Sequence, residues 1–163
     1  MNSQFETLAR NLAVKHGLND ALVCAVIEQE SSWNPAAKRY EPAFYTHYIR
    51  PLMMSMGLTQ EEATNRATSW GLMQIMGEVA RELGYTDALP DLCDPATGIE
   101  WGCRKLAQCM VRANADAYRA LQFWNGGGNP NYAPQVIARM DKYIEELVSN
   151  AEEVQDAAAG EVG

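Results

Sequence analysis

The 163-residue sequence predicts an all-α domain with at most a minimal β element, and three observations carry that prediction. Apolar residues recur at i, i+3, i+4 and i+7 along most of the chain. Capping residues open, and glycines or prolines close, one segment after another. No alternating run marks a strand beyond a short turn-like pair in the middle. At this length, with 47% hydrophobic residues, the chain buries one core and is too short for two. Residues 1–150 form that single domain. After Asn150 the composition shifts to Ala, Gly and acid, so 151–163 is expected to be a flexible tail.

The elements follow in order. Ser3 and Glu6 form a capping box, Phe5, Leu8, Leu12 and Ala13 make an apolar stripe, and Gly17 stops the first helix. A second helix starts at Asn19-Asp20 and runs through Leu22, Val23, Ala25, Val26 and Ile27. So apolar a run suggests burial on most sides. It ends near Ser31-Ser32, ahead of Asn34-Pro35. Pro42 and Pro51 bracket a short helix over 43–50, and Thr59 caps another with Glu61 and Glu62 in its first turn. Gly77 to Leu83 is a short helix closed by Gly84. Asp94-Pro95 opens a long one with Ile99, Cys103, Leu106 and Met110 on one face. Asp116 to Trp124 precedes a Gly126-Gly127-Gly128 stop. From Ala133 to Val148, the spacing of Val136, Ile137, Met140, Ile144 and Leu147 gives a last amphipathic helix.

Charge and composition exclude several function classes. The net charge is −8, with 21 acids against 13 Lys and Arg, which argues against nucleic-acid binding and against a polybasic membrane-surface role. Most of that charge is local. Residues 141–163 hold seven acids and Lys142, a net of −6, leaving −2 for residues 1–140. No run of eighteen apolar residues spans a bilayer, and no secretory signal is visible at Met1–Glu6. The tail lacks the basic amphipathic character of a membrane-disrupting segment, so no intrinsic membrane binding is expected. Cys24, Cys93, Cys103 and Cys109 lack zinc-ligand spacing and are expected to be inert thiols, with a Cys93–Cys103 link as the alternative, and His16 and His47 to be surface or packing residues.

Three segments bear chemistry. Glu30 shares a helical face with Val23, Val26 and Ile27 near the helix C-terminus. Apolar neighbours and the negative end of the helix dipole disfavour its charged form, as a general acid near neutral pH requires. The alternative is a solvated helix-end glutamate. Glu28 faces elsewhere and reads as surface. In Ser69-Trp70-Gly71-Leu72-Met73-Gln74-Ile75-Met76, the Trp-Gly pair allows a tight turn. Gln74 offers an amide to a neutral polyhydroxylated ligand, against the alternative of a Met-rich core strip. Phe123-Trp124-Asn125-Gly126-Gly127-Gly128-Asn129-Pro130-Asn131-Tyr132 sets aromatics beside amides and glycines, which suits a carbohydrate groove or simply a loop. A phosphate loop would need a following Lys and Ser/Thr.

Taken in order, Glu30-Ser31, Gly71-Leu72-Met73-Gln74, Trp124-Asn125-Gly126-Gly127 and Tyr132 resemble the four motifs of the soluble lytic transglycosylase (SLT) family, which has a lysozyme-like fold. Pro35-Ala36, Ala80, Gly84 and Asp94-Pro95 fit the same pattern, and the resemblance spans residues 19–143. It implies Glu30 as catalytic acid/base. Ser31, Gln74 and Asn125 become sugar-contacting or structural partners of the site, and Tyr132 an aromatic near the catalytic carboxyl. Two departures stand out. Trp124 replaces the usual tyrosine, removing any role of that hydroxyl. The stretch between Ser31 and Gly71 is also longer than usual, and its Arg39-Tyr40-Glu41-Pro42 resembles phage-encoded members.

The resemblance implies cleavage of the β-1,4 bond between N-acetylmuramic acid and N-acetylglucosamine in peptidoglycan, with a 1,6-anhydro product and neither metal nor cofactor. The phage-like run and the missing secretory signal point to a bacteriophage or prophage endolysin, and a monomer is the plain expectation. It would be made in the bacterial cytoplasm and act in the periplasm or cell wall, or else be virion-associated. A muramidase would need a second carboxylate across the cleft. Glu41 is the candidate, with Glu61 and Glu62 behind it. A third reading is a peptidoglycan-binding module without activity.

Overall fold

The computed structural model describes residues 2–145, with side chains from Gln4 onward. The Ser3 side chain of the proposed capping box, the end of the last helix with Leu147 and Val148, and the tail all lie outside the described residues. In chain order the helices are α1 (Asn2–Lys15), α2 (Asp20–Ser31), α3 (Pro42–Phe44), α4 (Arg50–Met56), α5 (Gln60–Arg66), α6 (Gly77–Glu82), α7 (Pro95–Arg112), α8 (Ala117–Trp124) and α9 (132–145). Three short strands, β1 (Lys38–Tyr40), β2 (Thr68–Trp70) and β3 (Ile75–Met76), pair antiparallel in that order. Register sets Arg39 opposite Ser69 and Trp70 opposite Ile75. The expected middle pair is thus β2 and β3, and a third strand joins it.

Four helices start where side-chain caps place them. Asn19, Thr59, Asp94 and Asp116 each accept from the backbone N–H three residues on, at 2.9, 3.1, 2.9 and 3.0 Å. Helix α2 is the axis of the main core. Residues 21–27 are all buried, and α1, α7, α8 and α9 surround them. Burial of Val23, Val26 and Ile27 contributes about 1.5–3 kcal/mol each. Arg10 ties the bundle at one end, donating to Glu6, to Asp20 and to the Tyr143 carbonyl. Ile99, Cys103 and Leu106 line α7 toward this core as expected.

Two expectations are corrected. The helix bracketed by Pro42 and Pro51 does not stop at Arg50. A π turn over Tyr45–Ile49, closed by Arg50 N–H to the Tyr45 carbonyl, leads directly into α4. Widening the helix just before Pro51 relieves the carbonyl clash of a helical proline ring. The buried face of α9 is also rotated. Ala133, Val136 and Tyr143 are buried, whereas Ile137 and Ile144 are exposed. Tyr143 sets this register, because its hydroxyl accepts from Trp33 Nε1 at 2.9 Å and donates to Glu28.

Candidate active site

The C-terminal turn of α2 is held from two sides. Residues 28, 29 and 30 each face α9. The Glu28 carboxylate meets Tyr143 and Lys142, Gln29 donates to Gln135 at 3.3 Å, and Glu30 meets Tyr132. Glu28 is therefore not a bare surface acid. Although burial opposes it, the bonds from Tyr143 and Lys142 hold its carboxyl below the usual range. On the other side Ser31 Oγ donates to the Leu72 carbonyl at 2.8 Å and shares its hydrogen with the Ile27 carbonyl at 3.2 Å. The chain then turns sharply, with Ser32 and Trp33 left-handed at φ 50° and 64°.

Leu72 belongs to the tight turn between β2 and β3. Gly71 takes φ 68° there, and a Cβ on it would lie 2.1 Å from the Leu92 carbonyl oxygen, so only glycine fits. Gln74, itself left-handed at φ 46°, closes the turn. Its Nε2 donates to the carbonyls of Ala37 at 3.0 Å and Gly71 at 2.9 Å, which anchors the turn to the segment leading into β1. The motif residues Ser31 and Gln74 thus fix the turn against α2.

Glu30 lies in a cleft of about 410 Å³ between the sheet and the α8–α9 connection. Its Oε1 accepts two hydrogen bonds, from Trp124 Nε1 at 2.8 Å and from the Tyr132 hydroxyl at 2.5 Å. Among the described residues nothing donates to Oε2. Trp124 and Tyr132 are themselves buried, at 5% and 6% exposure, so both donors are held rigidly. Burial, and after it the Glu30 charge, raises the Tyr132 phenol, which keeps its proton and remains a donor. Trp124, which stands where the family pattern has tyrosine, brings its indole N–H directly to the carboxylate.

The cleft wall is polar. Arg39 and Ser69 come from the paired strands, Gln74 from the turn, Lys105 from α7, and Asn125 and Asn129 from the connection after α8. Asn125 Nδ2 donates to the Asn129 carbonyl at 3.2 Å, bracing that loop. Among the described residues that line the cleft, Glu30 is the one carboxylate.

The other acids lie elsewhere. Glu41 follows β1 outside the cleft lining, with its carboxylate on Arg39 Nε at 2.5 Å. Glu62 binds Arg66 and Arg81 at 2.9 and 2.8 Å beside a separate cavity, and Glu61 borders a third. Glu61 and Glu62 therefore do not back Glu41 at the cleft. The long segment between them folds as α3 to α5 around its own small core of Ile49, Ala63 and Ala67, which carries these acids away.

Sequence reasoning missed Lys105 and gave no role to Arg39, Ser69 and Asn129, although those three fall in segments it singled out. The signal for Lys105 was present: it falls in the row Gly98, Gly102, Cys109 on α7, whose other members are buried. The four cysteines are free, and burial pushes the Cys103 thiol up to about 12, so it stays protonated. His16 packs against Glu100 at 3.0 Å, outside the cleft lining. Among the described residues no cluster of His, Cys, Asp and Glu is placed to hold a metal, and no helix is long and apolar enough to cross a membrane.

Comparison with known protein families matches residues 7–142 to the transglycosylase SLT domain. The chain belongs to that family. The match takes in α2, the turn after β2, the α8 loop and nearly all of α9, so every element that touches Glu30 lies inside the SLT domain. A largely helical body with one small sheet accords with the family's lysozyme-like fold, and membership supports a transglycosylase-type action on peptidoglycan. Among solved structures no significant match is found.

Proposed function

We propose that this SLT domain is a peptidoglycan lytic transglycosylase in which Glu30 serves as acid and then as base. The observation that carries the proposal is the single carboxylate in the cleft, bearing two buried donors on one oxygen and none from the described residues on the other. With Oε1 so engaged, the acid form carries its proton on Oε2, the oxygen left to the substrate. That proton passes to the glycosidic oxygen between N-acetylmuramic acid and N-acetylglucosamine as the C1–O bond breaks. The muramyl ring flattens toward an oxocarbenium ion, and its own acetamido oxygen supports C1. Glu30, now a carboxylate, takes the proton of the muramyl C6 hydroxyl as O6 closes on C1. The acid is regenerated and no water is consumed.

Trp124 and Tyr132 contribute most when Glu30 is charged, because a hydrogen bond to an anion is stronger than one to a neutral acid. Ser31 and Gln74 hold the cleft wall, and Asn125 and Ser69 present polar atoms to sugar hydroxyls. The longer segment opened by Arg39-Tyr40-Glu41-Pro42 supports a bacteriophage or prophage endolysin as the setting.

A Glu30→Gln variant, which keeps the shape and both donors' partner atom, tests the assignment on purified cell walls. General acid–base catalysis contributes about 10²–10⁴-fold, so turnover should fall by that much. Equal, slow clearing by variant and parent would instead favour a binding module.

A further inference from the structure

We propose that Lys105 is a positioning residue of the Glu30 site that acts through Trp124. This rests on Glu30 being the reacting group. Trp124 is the last residue of α8, and the chain leaves it through Asn125 and the left-handed Gly126 and Gly127. Burial fixes the place of the indole in the core, and the direction of its N–H decides whether Glu30 Oε1 has a second donor. Lys105 adds a directional constraint from α7. Its Nζ donates to the Trp124 carbonyl at 3.3 Å and stands 4.2 Å from the centre of the indole ring. One contact pins the backbone at the helix end and the other pins the ring plane, while Nε1 lies 2.8 Å from the carboxylate.

No described carboxylate forms an ion pair with Lys105. An ammonium in such a place is costly unless ring face and carbonyl compensate it, which makes those two contacts directional. Burial accordingly pulls the Lys105 amine below its ordinary value, with Cys109 and Glu30 opposing. A matching pair lies one residue earlier on the same helix. Arg104 stacks on Trp101, also at 4.2 Å, but on the surface and away from the cleft. It is a control with similar geometry and no link to Glu30.

The test uses the full chain on purified peptidoglycan, with Lys105→Met, Lys105→Arg, Arg104→Met, Trp124→Phe and the Lys105→Met/Trp124→Phe double variant. All are assayed well below their melting temperatures. Acting only through Trp124, Lys105 can contribute no more than the indole donor itself, so Lys105→Met should lower kcat about three- to tenfold with KM within about twofold. Lys105→Arg should recover most of the loss, and Arg104→Met should match the parent. In the Trp124→Phe background the Lys105→Met change should add nothing.

An activity-independent readout is the Trp124 indole N–H resonance, identified by its disappearance in Trp124→Phe. It should lose exchange protection in Lys105→Met and keep it in Arg104→Met. Parental kcat in Lys105→Met, an equal loss in both backgrounds, a change confined to KM, or an Arg104→Met loss of similar size would each overturn the proposal. Full activity of Glu30→Gln would instead remove the catalytic reading on which it rests.

Discussion

Replacing Tyr132 by Phe removes one of the two donors on Glu30 Oε1 and keeps the buried ring in place. On the proposed mechanism the hydroxyl donates to a neutral carboxylic acid before proton transfer and to a developing carboxylate as the glycosidic bond breaks. A neutral hydrogen bond contributes about 0.5–1.5 kcal/mol net and one to a charged group about 1.5–3 kcal/mol. The difference, about 1–1.5 kcal/mol, is what the hydroxyl adds selectively to the transition state. At 1.36 kcal/mol per decade this predicts a fall in kcat of roughly five- to twelvefold. With the hydroxyl committed to Glu30, KM should stay within about twofold. Trp124→Phe should behave similarly, and the double variant should lose more than the product of the singles, because each donor partly covers for the other on one oxygen. The assay is initial-rate release of soluble muropeptides over a range of peptidoglycan concentrations. Raised KM with parental kcat would refute this reasoning and make Tyr132 a sugar-binding residue.

Other outcomes follow from the same geometry. Ser31→Ala strands the Leu72 carbonyl and should cost about 1–2 kcal/mol, lowering Tm by roughly 3–6 °C without raising KM. A raised KM at unchanged Tm would make the hydroxyl a substrate contact. Gly71→Ala combines a left-handed backbone with a Cβ 2.1 Å from a backbone oxygen, and urea titration should register a loss of about 2–5 kcal/mol. Although burial works against it, hydrogen bonds from His16, Lys15 and Arg104 hold the Glu100 carboxyl at about 2 in the folded protein, below its ordinary 4.5. Its stabilisation is therefore complete above pH 4.5 and is lost as pH falls toward 2. Glu100→Gln should melt below the parent at pH 7, and the gap should close over that window. A gap that persists at pH 2 would contradict the ion-pair account.

Much of the fold was legible because helix starts are local chemistry. Asn19, Thr59, Asp94 and Asp116 do their capping within three residues, and the left-handed Gly17 and Gly84 mark the stops of α1 and α6. The helix through Pro51 was not legible, because a π turn depends on how the whole 42–67 segment packs on its own small core. The face of α9 was misread for a similar reason. An apolar count favours Ile137 and Ile144, but burial is decided by the Tyr143 phenol finding both Trp33 and Glu28. At the site, the order of motifs located Glu30, Gln74, Trp124 and Tyr132. What no linear spacing could give was their pairing across 94 and 102 residues, the commitment of Gln74 to backbone carbonyls, or the position of Lys105 over the indole.

The central claim is that one carboxyl does both proton transfers without an activated water. The most direct measurement is the mass of the muropeptides released by the pure protein from intact peptidoglycan, with borohydride reduction run in parallel. The expected products carry 1,6-anhydromuramyl ends that resist reduction. Products heavier by one water, with reducible ends, would contradict it and return attention to a second carboxylate such as Glu41.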